Sequence, residues 1–180
     1  QPVINGSRAE GQCVSGLGYA DTDGDFYDGD ANIDPEISME SQDVTLRLEW
    51  QIGDLSLTSI TGYDDFEKEQ SQDIDSSPFV GADNFTFNEV ENISQEIRLA
   101  SDASEDFSWI VGGNYANTEV DWFQTINLTD LAGIPTSNGA NQETESWAVF
   151  GQVDYRINEQ WEVIGGLRYT IEERDWIGAT

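Results

Sequence analysis

The sequence has no histidine, one cysteine, one methionine and seven basic residues among 180. The missing histidine removes the usual general base and the commonest metal ligand. The lone Cys13 cannot form a disulfide framework; it reads either as a buried thiol or as half of a disulfide whose partner lies elsewhere. Seven basic against 36 acidic residues give a formal charge of -29. That is the wrong sign for a nucleic-acid footprint. No run approaches the ~18 apolar residues that mark a spanning helix. A β-barrel remains open, because its strands hide their hydrophobicity by alternation. No signal-peptide pattern opens the chain, so a mature chain or a fragment is expected. Aromatics, by contrast, make up 11% of the residues, with six Trp, which excludes a merely disordered acidic tail.

Period two dominates wherever apolar residues occur. Trp147, Val149, Gly151, Val153, Tyr155 and Ile157 alternate with Ala148, Phe150, Gln152, Asp154 and Arg156. Trp161, Val163, Gly165, Leu167, Tyr169 and Ile171 alternate with Glu162, Ile164, Gly166, Arg168, Thr170 and Glu172. Two such runs around the polar turn Asn158-Glu159-Gln160 predict a β-hairpin. The same reading places a hairpin around Gly53-Asp54 and another around Ser101–Asp106. Strands are expected at about 43–52, 55–69, 85–100, 107–126, 144–157 and 161–176. They are about twice the usual ~5–6 residues. Residues 1–42, 70–84 and 127–142 lack apolar alternation and read as long polar loops, with no plug domain among them. Between Asp21 and Asp43 the first loop carries nine acidic residues and no basic one. Short turns thus fall at one end of the sheet and long acidic loops at the other, as in outer-membrane barrels. The expected fold is all-β: an antiparallel meander of about six long strands in three hairpins, part of a larger transmembrane barrel whose acidic loops are extracellular.

Aromatic spacing supports a membrane environment. Phe107 and Tyr115, Trp147 and Tyr155, and Trp161 and Tyr169 are each eight residues apart on the apolar face, and Leu55 and Tyr63 keep the interval. Eight residues at ~3.3 Å, tilted ~40°, span roughly 20 Å, close to the ~25 Å band between barrel girdles. These aromatics, with Tyr63, are expected at the membrane interfaces. Glu96, Arg98, Asp154, Arg156, Glu162 and Arg168 fall on the other face, where cross-strand charge ladders toward a lumen are expected.

Five segments, in this order and spacing, resemble the barrel of TonB-dependent outer-membrane receptors: LTSITGY (Leu57–Tyr63), SQEIRLASD (Ser94–Asp102), WIVGGNY (Trp109–Tyr115), ESWAVFGQVDYRI (Glu145–Ile157) and WEVIGGLRYTIEERD (Trp161–Asp175). The resemblance covers most of Val44–Asp175 and leaves the first forty residues unassigned. It implies the outer membrane of a Gram-negative bacterium and active uptake of a scarce solute such as a siderophore, cobalamin or a glycan. It also implies partners: the remainder of the barrel, a plug, the TonB complex through a region outside this sequence, outer-membrane lipid and a small-molecule ligand. About six strands fall short of the ~8 of the smallest closed barrels, so a middle portion of a larger barrel is expected.

One local motif suggests a cofactor. In DTDGDFYDGD, Asp21, Asp23, Asp25 and Asp28 resemble the start of a calcium loop, where alternate oxygens converge on one hard cation. The EF-hand pattern fails at Phe26, where Gly is required, and at Asn32, where Glu is required. No residue set supplies a nucleophile with a base, so an enzyme is not expected. The rival reading is a self-associating, calcium-modulated structural β-protein of the cell surface or of filaments, its aromatic faces buried against other chains.

Overall fold

The computed structural model describes Ser15 and residues 17–20, 29–101 and 106–179. Six antiparallel strands form one sheet in chain order: β1 (Glu36–Ile52), β2 (Leu55–Asp73), β3 (Asp83–Ser101), β4 (Phe107–Leu128), β5 (Ile134–Asn158) and β6 (Trp161–Ala179). A four-residue helix, α1 (Thr129–Ala132), links β4 to β5. Within the described residues β1 and β6 each have one neighbour, so the sheet is open.

The turns follow from local chemistry. Gly53 takes a left-handed φ of 61° between β1 and β2, a conformation that favours glycine. The Asn158 carboxamide oxygen accepts the backbone N–H groups of Gln160 (2.9 Å) and Trp161 (3.0 Å), fixing the β5–β6 turn. At the opposite end, Gly133 stops α1 with φ 79°, its N–H bonded to the Thr129 carbonyl.

Strand length departs from expectation at that opposite end. β1 starts at Glu36, inside the stretch 1–42 read as loop. β2 runs to Asp73 and β3 begins at Asp83, leaving only 74–82 of the loop expected at 70–84. The loop expected at 127–142 is an extended hairpin: β4 continues to Leu128, α1 and Gly133 reverse the chain, and β5 begins at Ile134. Pairing there is unbroken from Phe107↔Tyr155 to Leu128↔Ile134. The physical reason is that these outer segments are mostly polar, with only scattered apolar residues such as Ile37, Met39 and Ile134. Hydrophobic alternation vanishes, while backbone pairing, which does not depend on it, persists.

The sheet has almost no apolar core. Ala148 is the one hydrophobic residue buried among those described, whereas Leu167 is 87% exposed and Tyr169 67%. The buried polar residues are Asp73, Ser77, Asp83 and Asn84, all at the outer tip of β2–β3. A soluble domain of this length would bury the reverse set.

Candidate functional site

Register sorts the side chains onto two faces. Opposed residues share a face, so Trp50↔Leu57↔Leu99↔Val111↔Gly151↔Leu167 is one continuous row across all six strands. The apolar runs of every strand fall on this same face. Every described basic residue falls on the other: Arg47, Lys68, Arg98, Arg156, Arg168 and Arg174. An apolar face with no cation on it, backed by a face holding all of them, suits a wall between lipid and a polar interior.

The aromatics form a slanted belt. Tyr115 lies opposite Trp147, with ring centroids 4.3 Å apart and planes inclined by 46°. Phe107 lies opposite Tyr155 at the short-turn end, and Trp161 pairs with Asn158 just beyond it. Along the outer boundary, Tyr63 leads across the sheet through Ile93, Asn117 and Glu145 to Glu173, yet the β6 aromatic is Tyr169. The boundary therefore drops four residues over four strand steps. The inner boundary drops equally: Leu55 leads to Gly165, and the aromatic is Trp161. Four residues at ~3.3 Å over four spacings of ~4.8 Å give a slope of roughly 35°. This matches the ~35–45° tilt of strands in transmembrane barrels. Rows perpendicular to tilted strands must cross a membrane boundary at that angle.

The polar residues inside the belt satisfy one another. On β2 and β3, the Gln95 carboxamide donates to the Ser59 hydroxyl (3.0 Å) and accepts from that of Thr61 (2.6 Å). Such internal pairing is what a lipid-facing polar group requires.

Glu96, Arg98, Asp154, Arg156, Glu162 and Arg168 share the face opposite the apolar one, called the inner face below. Arg156 stands opposite Glu162 in register, across strands. The ion pairs Arg98–Glu96, Arg47–Glu49 and Arg174–Glu172, however, run along single strands, where the expectation was cross-strand ladders. Residues two apart on a strand share a face, which makes that geometry available without any partner strand. Asp154 accepts from Gln152 (3.0 Å). Arg168 reaches across β5 to the Asn114 oxygen (2.8 Å) and lies 5.7 Å from the Phe150 ring centre. Gly112 makes room for that ring: a Cβ there would sit 2.5 Å from Phe150 Cζ and 2.7 Å from the Ile97 carbonyl oxygen. Trp122 and Trp176 also face inward near the outer end; the absence of apolar alternation around them concealed Trp176 in the sequence.

Above the belt, the outward face is acidic. Asp65↔Glu91↔Glu119↔Glu143↔Asp175 form one row of directly opposed carboxylates, and Glu40↔Glu67↔Glu89↔Asp121 the next. The Glu89 carboxyl is held above its ordinary range by partial burial first, then by Glu91, Glu67, Asp65 and Asp121. Asp21, Asp23, Asp25 and Asp28, the calcium motif of the sequence, and Cys13 lie outside the described residues.

A model of the family "TonB dependent receptor-like, beta-barrel" matches residues 4–177. A comparison with curated proteins finds no match. Among solved structures, the chain is similar to the ferric yersiniabactin uptake receptor FyuA from Yersinia pestis, with a TM-score of 0.68 at 14% identity over 82% of this chain. The chain spans 23% of the length of that receptor. At that identity the likeness is one of fold.

Proposed function

Because the chain belongs to the family of TonB-dependent receptor β-barrels, we propose that it forms part of the barrel wall of an energy-coupled outer-membrane receptor. In this reading the outer strand extensions and their connections capture a scarce solute, and the inner face lines its route beside a plug. Energy arrives from the TonB complex through a region outside this chain. The family is one of receptors and transporters, and the inner face is read here as a passage wall. The observation that carries the proposal is the slanted aromatic belt, eight residues tall in β4, β5 and β6, with every described Arg and Lys on the opposite face.

The solute class we favour is an anionic metal chelate of the siderophore kind, ahead of cobalamin or a glycan. Arg98, Arg168 and Arg174 on the inner face supply cations, and Arg168 is already oriented by Asn114 and Phe150. Inward-facing Trp122 and Trp176 add flat surfaces for a ring system.

Two measurements on the intact receptor test this. In vesicles of bromine-labelled lipid, quenching of Trp fluorescence should fall when Trp147 or Trp161 is replaced by Phe, and stay unchanged for Trp122→Phe. Unquenched Trp147 together with polymers in solution would instead favour the self-associating structural reading. Equilibrium binding of a ferric siderophore panel, cobalamin and oligosaccharides then separates the solute classes; binding of the glycans alone would overturn the chelate assignment.

A further inference from the structure

The outer tip of the β2–β3 hairpin holds a second feature, distinct from the wall. Asp73, Asp75 and Asp83 each place a carboxylate oxygen within 4.8 Å of the other two. Two ligands across a calcium ion at ~2.3–2.6 Å lie about 5 Å apart, so this spacing suits one shared ion. Asp73 and Asp83 are buried, Asp83 to 3% exposure. No basic residue occurs between Lys68 and Arg98, and none of the ion pairs among the described residues involves the three carboxylates.

The hydrogen bonds around the cluster leave a gap. Asp73 accepts the N–H groups of Asp75 (2.9 Å), Ser76 (2.7 Å) and Asn32 (3.2 Å). Asp75 accepts the Ala82 N–H (2.9 Å) and the Ser77 hydroxyl (2.5 Å). Asn32 donates its amide N–H to Asp83 Oδ2 (2.9 Å). That leaves Asp83 Oδ1 and Asn32 Oδ1, both buried, with no hydrogen-bond partner. Asp83 Oδ1 and Asn32 Oδ1 are thus orphaned acceptors on hydrogen-bonded neighbours, and Asp83 shares its cluster with two more carboxylates. Buried acceptors are otherwise almost always satisfied. A hard cation shared by the three carboxylates would supply the partner that Asp83 Oδ1 lacks.

We propose that Asp73, Asp75, Asp83 and the Asn32 amide oxygen bind a calcium ion, which fastens the segment before β1 to the tip of the β2–β3 hairpin. Three carboxylates, two of them buried, favour calcium over magnesium, which keeps several waters. The tip is also tied to α1: Val80 N–H donates to the Asp130 carboxylate (2.8 Å), and Asp130 N–H donates to the Val80 carbonyl (3.0 Å). The ion would therefore stiffen two outer connections together. The site does not rest on the uptake reading, since binding is measured without any solute.

The test is calorimetric titration of calcium chloride into the intact receptor in detergent after chelator treatment. The expected Kd is on the order of 10⁻⁴ M, the range of extracellular calcium modules, and Asp83→Asn should weaken it by about tenfold or more. Asp23→Asn should leave this binding unchanged, separating it from the DTDGD motif. Asn32→Ala keeps all three carboxylates and covers the case in which Asp83→Asn does not fold; it should weaken binding several-fold with the β circular dichroism intact. Calcium should also protect 74–82 from protease. Absence of calcium heat up to millimolar concentration overturns the proposal, as does wild-type affinity in a folded Asp83→Asn or Asn32→Ala variant.

Discussion

Between the aromatic rows and beyond the outer row, the same six strands carry different side-chain chemistry on one and the same face. Within the belt the outward face is apolar, and its few polar side chains, Ser59, Thr61 and Gln95, are bonded to one another. Beyond it the outward face carries carboxylates directly opposite carboxylates, as in Asp65↔Glu91↔Glu119. One backbone ladder runs through both regions. Hydrogen-bonded pairing makes the sheet everywhere, and side chains decide only which solvent each stretch accepts. On the proposed lipid-facing belt an unsatisfied polar group would be costly, because lipid offers no partner. Beyond it water screens like charges, so five opposed acids are tolerated where a neutral row would be more stable.

The largest way to sharpen this contrast is a charge in the belt. Val111→Arg, midway between Phe107 and Tyr115 on the apolar face and 46% exposed, should cost about 2–4 kcal/mol at the membrane midplane. Urea titration of the receptor in lipid would measure it. The same test on Glu119→Arg, in the outer extension, should show stabilisation of ~0.2–1 kcal/mol. Equal losses at both positions would erase the distinction between the two regions.

A smaller effect is expected inside the wall. Gly112→Ala places a Cβ 2.5 Å from the Phe150 ring and 2.7 Å from the backbone oxygen of Ile97. The ring can turn but the carbonyl cannot, so a loss of about 1–3 kcal/mol is expected. The same titration in lipid reads that loss, and Phe150→Leu should relieve only part of it.

The smallest effect is one of pH. The Glu89 carboxyl binds its proton more tightly in the folded chain than in the unfolded one. Its contribution to stability is therefore present at low pH and lost as pH rises through the folded pKa. Protease resistance of the outer extension should increase modestly from neutral pH down toward the carboxylate range. Glu91→Gln should flatten that response by removing the neighbouring charge that raises the Glu89 carboxyl most, while leaving the belt's stability unchanged.

Much of the wall was legible in the residues. Trp147 to Ile157 and Trp161 to Ile171 declare their faces by period two, and Gly53-Asp54 and Asn158–Gln160 declare their turns. The six inner-face charges fall where that alternation places them. Trp176 and the true length of β1 and β5 were not legible, because Glu36–Asp43 and Ile134–Thr144 are mostly polar, with too few apolar residues to set a period. With the same solvent on each side, nothing in the residue order distinguishes a strand from a loop.

By itself, then, the sequence determined which face of each strand is apolar, since that contrast is written locally, residue by residue, at a period of two. The tertiary structure alone decided two things. It set the slope of the aromatic belt, which exists only once register relates Tyr63 on β2 to Tyr169 on β6. It also brought Asn32, Asp73 and Asp83 together across gaps of 41 and 51 residues. Distances along the chain carry no information about such meetings; they are consequences of where the hairpin tips come to rest.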